Sequence, residues 1–363
     1  MPVQGSVAPG LEPVREVFAE LVADSLAGVA FSVVRRGEVL ADLWGGLADP
    51  RTGEPWREDT LCVLFSGTKG ITAAVVAGPA GVLDPDERVV TYWPEFSARD
   101  VRVHHVLAHT AGLPYVDGDY DLVDTDAATA ILARQRPLWT PGTRVAYHAM
   151  TYGYLASELV RRATGQTVGT LLREHIARPF DLDLHLGTSA ELDPRVAWLT
   201  RAPGYAISTF LHDEQRRAVV DRMYRGLLDS DLPNSPAYRR AELAAAGAVG
   251  TARSMARFYD LLTAGELVDP AALARATRTW SEGIDAINDR PVHFGLGFEL
   301  PDPIGTYGPA AVAFGHSGAG GGRHGAWPEL ELGFSFVTNE MRAENADGRA
   351  DRLLATLHAV LAG

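Results

Sequence analysis

The chain has 363 residues, 46% of them hydrophobic and 22% charged, a globular composition with material for more than one core. Its 33 basic and 46 acidic side chains give a formal charge of −13, and no basic run offsets it, which argues against nucleic acid or an anionic membrane surface as a partner. No apolar run approaches the roughly 18 residues of a membrane span, and the opening MPVQGSVAPG has no basic start or apolar core, so neither export nor insertion is expected. The single cysteine, Cys62, rules out an internal disulfide framework and fits a reducing cytoplasm.

In chain order, the first ten residues carry no structural signal and are expected to be disordered. Leu11, Val14, Phe18, Leu21, Val22 and Leu26 then recur at helical spacing, predicting an amphipathic helix over 11–26 closed by Gly28. Two β-branched and aromatic stretches, 29–35 and 38–45, flank Arg36-Gly37 and predict an antiparallel hairpin. From about 65 to 280 the pattern turns helical, with windows over 151–164, stopped by Gly165, and 251–264, stopped by Gly265; Gly78-Pro79 should cut short the helix that follows Lys69. Strand-like segments return at 291–300, 312–318 and 331–339, and 348–363 predicts a closing amphipathic helix. Strands at both ends with a helical middle predict an α/β (α+β) fold: one antiparallel sheet built from both termini and flanked by helices, with an all-helical lobe inserted. The division is 1–64 plus 281–363 for the sheet domain and 65–280 for the helical one, with the active site between them.

Three clusters carry chemistry. The basic residues are 32 arginines and one lysine, Lys69, which lies three residues after Ser66 at the start of a probable helix. Residues three apart share a helix face, so the ammonium can reach the serine hydroxyl. A serine becomes a nucleophile when a neighbour takes its proton, and a lysine does so only when neutral. Lowering its pKa from ~10.4 to near neutrality takes about 4 kcal/mol, which burial supplies. The second cluster, 141–149, runs from a Pro-Gly turn to Tyr147 ahead of a helix; the phenol either points into a cleft and shuttles a proton or packs its ring. The third, Phe314 to Gly322, is a strand poor in large side chains that either lets a substrate approach its N–H groups or is a turn between strands.

In this order the clusters resemble the serine β-lactamase and penicillin-binding-protein superfamily, and more closely its class C branch and the family VIII carboxylesterases. Ser66-Gly67-Thr68-Lys69 is similar to the family's Ser-x-x-Lys, Tyr147-His148-Ala149 to its tyrosine motif, and His316-Ser317-Gly318 to its Lys-Thr-Gly or His/Trp-x-Gly motif. The flanking LDPDERVVTYWPEF, HHVLAHTAGLP and LGFSFVTN are also similar, so the likeness runs from about residue 12 to the end. The resemblance implies a class C-like fold, Ser66 as acylated nucleophile, Lys69 and Tyr147 sharing acid and base duties, and the Ser66 and Ala319 N–H groups as oxyanion donors. It also implies that His316, Gly318 and His148 contact substrate. Ala149 stands where β-lactamases usually carry an asparagine and His316 where they carry a lysine, which implies weak recognition of β-lactams.

The expected function is a carboxylesterase working on a small-molecule ester through a serine acyl-enzyme. The alternatives are a transacylase with an amine or alcohol acceptor and a catalytically silent binding protein on the same fold. Gly315 to Ala319 is also similar to a degenerate nucleophile elbow, but that needs a helix directly after Ser317, where the sequence has Ala-Gly-Gly-Gly. His104, His105 and His109 have ligand-like spacing without an evident third ligand set, so neither metal nor cofactor is implied. Tyr115, Tyr120 and Trp139 are candidates for the cleft mouth or for packing.

Overall fold

The structure, a computed structural model, describes residues 2–79, 81 and 83–362; the end residues Met1 and Gly363 of the expected sheet domain lie outside the described residues. Strand β1, Gln4–Val7, falls inside the segment expected to be disordered. It is ordered because it pairs with the outer edge of β3, Glu38–Asp49, satisfying backbone groups that an open edge would leave unpaired. Helix α1 covers Glu12–Asp24 and buries Val14, Phe18, Leu21 and Val22. It ends earlier than its apolar repeat suggests: Ser25 is extended, and Leu26 stands 63% exposed. Strand β2, Gly28–Arg35, makes the expected hairpin with β3 through Arg36 and Gly37, both at positive φ as a tight primed turn requires. The two-residue β4, Glu54–Pro55, pairs with the far end of β3.

The C-terminal segment supplies the rest of the sheet. A separate hairpin, β5 (Ser281–Ile284) with β6 (Pro291–Phe294), precedes β7 (Phe314–Ser317), β8 (Arg323–Trp327) and β9 (Leu332–Thr338). The order is β1-β3-β2-β9-β8-β7, antiparallel throughout, with Ala30 opposite Val337 and Phe31 opposite Phe336 where the two termini meet. All seven residues of β9 are buried, so both faces of the sheet are covered. On one face α1 and the closing helix, Arg349–Ala362, enclose a core of Phe18, Phe31, Trp327, Phe334 and Leu357. On the other lies the helix Ala252–Thr263, so close that a Cβ at Gly333 would strike its backbone. That helix belongs to the span read as the helical domain. The division at 280 is therefore not a packing boundary, because a sheet apolar on both faces needs a second helical layer and the chain takes it from its middle.

Between α1 and this covering helix, three longer helices frame the site: α2 (Gly67–Ala77), α3 (Thr151–Thr164) and α4 (Glu214–Tyr224). Helix α2 ends at Gly78, as Gly78-Pro79 predicts, and every residue from Gly67 to Val76 is buried. It runs between α3 and β7, which places its first turn at the seam of lobe and sheet. Asn339 fastens that seam: its Oδ1 accepts the Gly28 N–H at 2.7 Å, and its Nδ2 donates to Ala48 O and Trp198 O, each at 2.9 Å.

Candidate active site

Ser66 lies directly before α2, preceded by Phe65 at φ +44°, an uncommon conformation for a bulky residue that turns the chain sharply into the helix. One turn on, Lys69 is completely buried. Its Nζ lies 2.8 Å from Ala149 O, 3.0 Å from Ala245 O and 3.2 Å from Ser66 Oγ. Burial holds the Lys69 ammonium well below the usual lysine range, with the Glu299 carboxylate opposing. A neutral amine has two N–H donors and one lone pair. Two carbonyls take the donors, which leaves the lone pair for the Ser66 hydroxyl.

Tyr147 sits on the loop before α3, and that loop is fixed by its backbone. Ala146 N–H donates to His109 O at 3.0 Å, His148 N–H to His109 Nδ1 at 3.0 Å, and Tyr147 N–H to Asp285 Oδ2 at 2.6 Å. The Tyr147 ring centroid is 4.7 Å from Lys69 Nζ, and Tyr147 lines the cleft together with Ser66. Burial pushes the Tyr147 phenol well above its ordinary value; Tyr224 and Glu299 add to the rise, and Ser66 and Arg290 oppose it. His148, expected to contact substrate, does not reach the cleft. It is fully buried, its Nε2 accepts the Leu113 N–H at 3.0 Å, and its Nδ1 meets Ala146 O at 2.7 Å. With both ring nitrogens bonded to backbone, it shapes the Tyr147 loop.

The opposite wall is the end of β7 and the turn after it. Gly318 lines the cleft and must be glycine for steric reasons, since a Cβ there would lie 2.6 Å from Leu64 O, two residues before the serine. Ala319, next in the turn, lines the same cleft as Ser66. Among the described residues, neither the Ser66 nor the Ala319 N–H has a protein acceptor, so both are available to a ligand. The turn is held from behind by the buried Arg349, whose Nη2 donates to Gly320 O at 3.2 Å and pairs with Asp347 at 2.6 Å. His316 also departs from expectation: it is 1% exposed and absent from the cleft surface, with Nδ1 2.8 Å from Ser317 O. Residues alternate along a strand, so with Ser317 facing the cleft, His316 points back toward α2. Burial takes its pKa down to about 4, which leaves it neutral.

The cleft between these walls has a volume of about 470 Å³ and opens onto Ser66 and Tyr147. One flank is apolar, from Ile207, Phe210, Tyr224, Val292 and Phe294; the other carries Glu299, Asp302, Arg290 and Arg323. Glu299 accepts the Tyr307 hydroxyl at 2.6 Å and the Ser317 N–H at 2.8 Å. Burial alone would raise it, yet His316, Arg290 and these bonds bring it down to about 2, and Arg290 is the one of the two that is charged at neutral pH. No spacing in the sequence pointed to Glu299, Asp285 or the flank 206–224. None of Tyr115, Tyr120 and Trp139 lines the cleft; Arg222 and Arg225 stack on the first two rings. Cys62 is buried, with its thiol pushed up to about 12 by burial. The other candidate histidines are occupied structurally: His105 Nδ1 accepts the Arg102 N–H at 3.1 Å, and His104 Nδ1 meets Pro85 O at 2.8 Å.

A serine beside a buried lysine held well below its usual range, with a phenol in the same cleft and two backbone N–H groups without a protein acceptor in its lining, is an arrangement suited to acyl transfer. The β-lactamase family pattern matches residues 14–358, and the chain belongs to that family. It is 33% identical over 365 aligned residues to the esterase/beta-lactamase LipL of Mycobacterium tuberculosis, covering 93% of this chain and 83% of that protein. Among solved structures it is similar to a family VIII carboxylesterase, with a TM-score of 0.90 at 31% identity, covering 99% of this chain and 100% of the other. A penicillin-binding-protein homologue from Caulobacter crescentus aligns with a TM-score of 0.88 at 34% identity over 99% and 100% of the two chains. Among the described residues, no helix is long and apolar enough to cross a membrane.

Proposed function

We propose that the protein is a serine ester hydrolase that acts on small-molecule esters through a Ser66 acyl-enzyme. The observation that carries this is the placement of Lys69 Nζ 2.8 and 3.0 Å from two carbonyls and 3.2 Å from Ser66 Oγ, so that in the neutral amine the carbonyls take both N–H groups and the lone pair is left for the serine. In this reading Lys69 Nζ takes the hydroxyl proton as Oγ attacks the ester carbonyl carbon. The Ser66 and Ala319 N–H groups receive the oxyanion. When the C–O bond to the alcohol breaks, Tyr147 donates its phenolic proton to the leaving oxygen and is reprotonated from the Lys69 ammonium. Burial keeps that phenol protonated at neutral pH, so the proton is present to be given. Water then attacks the acyl carbon with the same groups in reverse order, releasing the acid and free Ser66.

The family likeness and the esterase names of the relatives support the same reading, and the buried free thiol of Cys62 accords with action in the cytoplasm. A second outcome, transfer to an amine or alcohol, is favoured by the apolar flank of Ile207, Phe210 and Tyr224, which holds an organic acceptor better than water. A fluorophosphonate probe with intact-mass readout should add one label, lost in Ser66→Ala; persistent labelling elsewhere overturns the assignment. An ester panel run with and without millimolar amines then separates the outcomes. Unchanged acid release means hydrolysis, and diversion of most product into an amide or new ester means transfer.

A further inference from the structure

The turn joining β5 to β6 reaches Tyr147 from outside the helical lobe. Asp285, 1% exposed, divides its carboxylate between two tasks. Oδ1 accepts the N–H groups of Ile287 and Asn288, each at 2.8 Å, and so caps its own turn. Oδ2 accepts the Tyr147 N–H at 2.6 Å. Next to it, Ala286 N–H donates to Val145 O at 3.0 Å, so consecutive residues of the turn grip alternate residues of the tyrosine loop. The turn is itself anchored twice more: Asp289 takes two nitrogens of Arg216 on α4 at 2.7 and 2.6 Å, and Arg290 Nη1 donates to Glu344 at 2.9 Å. A carboxylate out of water is costly unless its lone pairs are filled. The turn needs only Oδ1, which a neutral amide oxygen would also supply. Among the described residues the second oxygen has one hydrogen-bond partner, the backbone N–H of Tyr147.

We propose that Asp285 is a positioning residue for Tyr147, fixing from the adjoining β5–β6 turn the direction in which the phenol meets the leaving-group oxygen. This rests on the reading of Tyr147 as the acid that protonates the leaving alcohol. In Asp285→Asn, an amide that keeps Oδ1 in the turn presents its NH₂ to the Tyr147 N–H, donor against donor, and the loop shifts.

Leaving-group chemistry gives the test. A p-nitrophenolate leaves without protonation, whereas an ethoxide does not. Measured as kcat/KM on p-nitrophenyl butyrate and ethyl butyrate, Asp285→Asn should stay within about threefold of wild type on the first and lose roughly 30-fold on the second. Equal losses on both esters, or no loss on the ethyl ester, overturn the proposal, because a general loosening of the fold does not sort esters by leaving group. Tyr147→Phe run beside it keeps the two ideas apart. If it shows the selective loss and Asp285→Asn does not, Asp285 has no positioning role; if Tyr147→Phe is unselective, the acid reading fails and the proposal with it. Asp285→Glu, which keeps the charge but moves the oxygens by one methylene, should show the same selectivity and stands in if the asparagine variant does not fold.

Discussion

The two walls of the cleft use burial in opposite ways. On the lobe side, burial removes charge: Lys69 is held well below the usual lysine range, Tyr147 stays a phenol, and His109 and His148 are kept neutral. On the sheet side, apart from the buried neutral His316, charge is retained and paired: Glu299 sits at about 2, Arg290 is bonded to Glu344, and Arg349 spans Asp347 and the Gly320 carbonyl. Groups that exchange protons gain from a dry setting in which the neutral form is favoured, whereas groups that only hold a loop in place serve best as permanent ions paired with an opposite charge. The comparison predicts that substitutions on the lobe wall change the chemistry and those on the sheet wall change its geometry.

The largest effect should come from Lys69→Arg. A guanidinium stays protonated and cannot accept the Ser66 proton, so turnover should fall by about 10³-fold or more, close to the loss in Ser66→Ala. Steady-state rates on the best ester decide this. A Lys69→Arg enzyme with more than a tenth of wild-type rate would remove the lysine from the role of base. On the sheet wall, Gly318→Val adds carbon where Leu64 O already lies 2.6 Å from a bare Cβ position. The Ala319 N–H should move off the oxyanion, costing about 10²-fold in kcat. Ser66 labelling by fluorophosphonate should slow in parallel, since the phosphonyl oxygen uses the same donors, while the pH dependence of turnover stays as in wild type.

The sequence made the lobe wall readable and left the sheet wall largely hidden, for a physical reason. Ser66 and Lys69 lie one helical turn apart, so spacing alone puts them on one face, and the lone lysine among 32 arginines marked the place. The hairpin about Gly37 and the helix stopped at Gly165 were legible for the same local reason. Asp285 meets Tyr147 across 138 positions, and Arg349 meets Gly320 across 29, so no short-range pattern announces either pair. His148 and His316 were misplaced because a motif gives the order of residues but not the side to which each ring turns; burial decided that. The helix Ala252–Thr263 was assigned to the lobe by composition, and only the packed sheet shows which layer it covers.

A smaller effect concerns β-lactams. Ala149 is buried with its carbonyl committed to Lys69, and neutral His316 lies behind the cleft surface, so neither offers an acylamino contact or a carboxylate anchor. Polar contacts of that kind are each worth about 1–3 kcal/mol, so nitrocefin should turn over roughly 10²-fold less efficiently than the best ester. Comparable kcat/KM values would mean that another residue of the cleft supplies the missing contacts.

The smallest effect separates the neutral buried groups of the lobe wall from the ions facing them, and it reads out in stability. His148 has a folded pKa of about 4 against an ordinary 6.5. Between those values the unfolded chain takes up a proton that the folded chain refuses, so stability falls as pH drops from about 6.5 toward 4, by at most about 1.4 kcal/mol per pH unit for this one residue. Glu299 behaves oppositely in window: its stabilising charge persists until the pH falls below the ordinary glutamate value of 4.5 and is lost toward about 2. Acid sensitivity between pH 6.5 and 5 therefore belongs to the histidines and not to Glu299. His148→Gln can still donate to Ala146 O and accept from Leu113 N–H, so it should fold and show a shallower loss in that range. Urea unfolding at half-unit intervals from pH 7 to 5 measures the slope. An unchanged slope in His148→Gln would mean that this imidazole titrates alike in the folded and unfolded chains, and the lobe wall would not be the uncharged surface described.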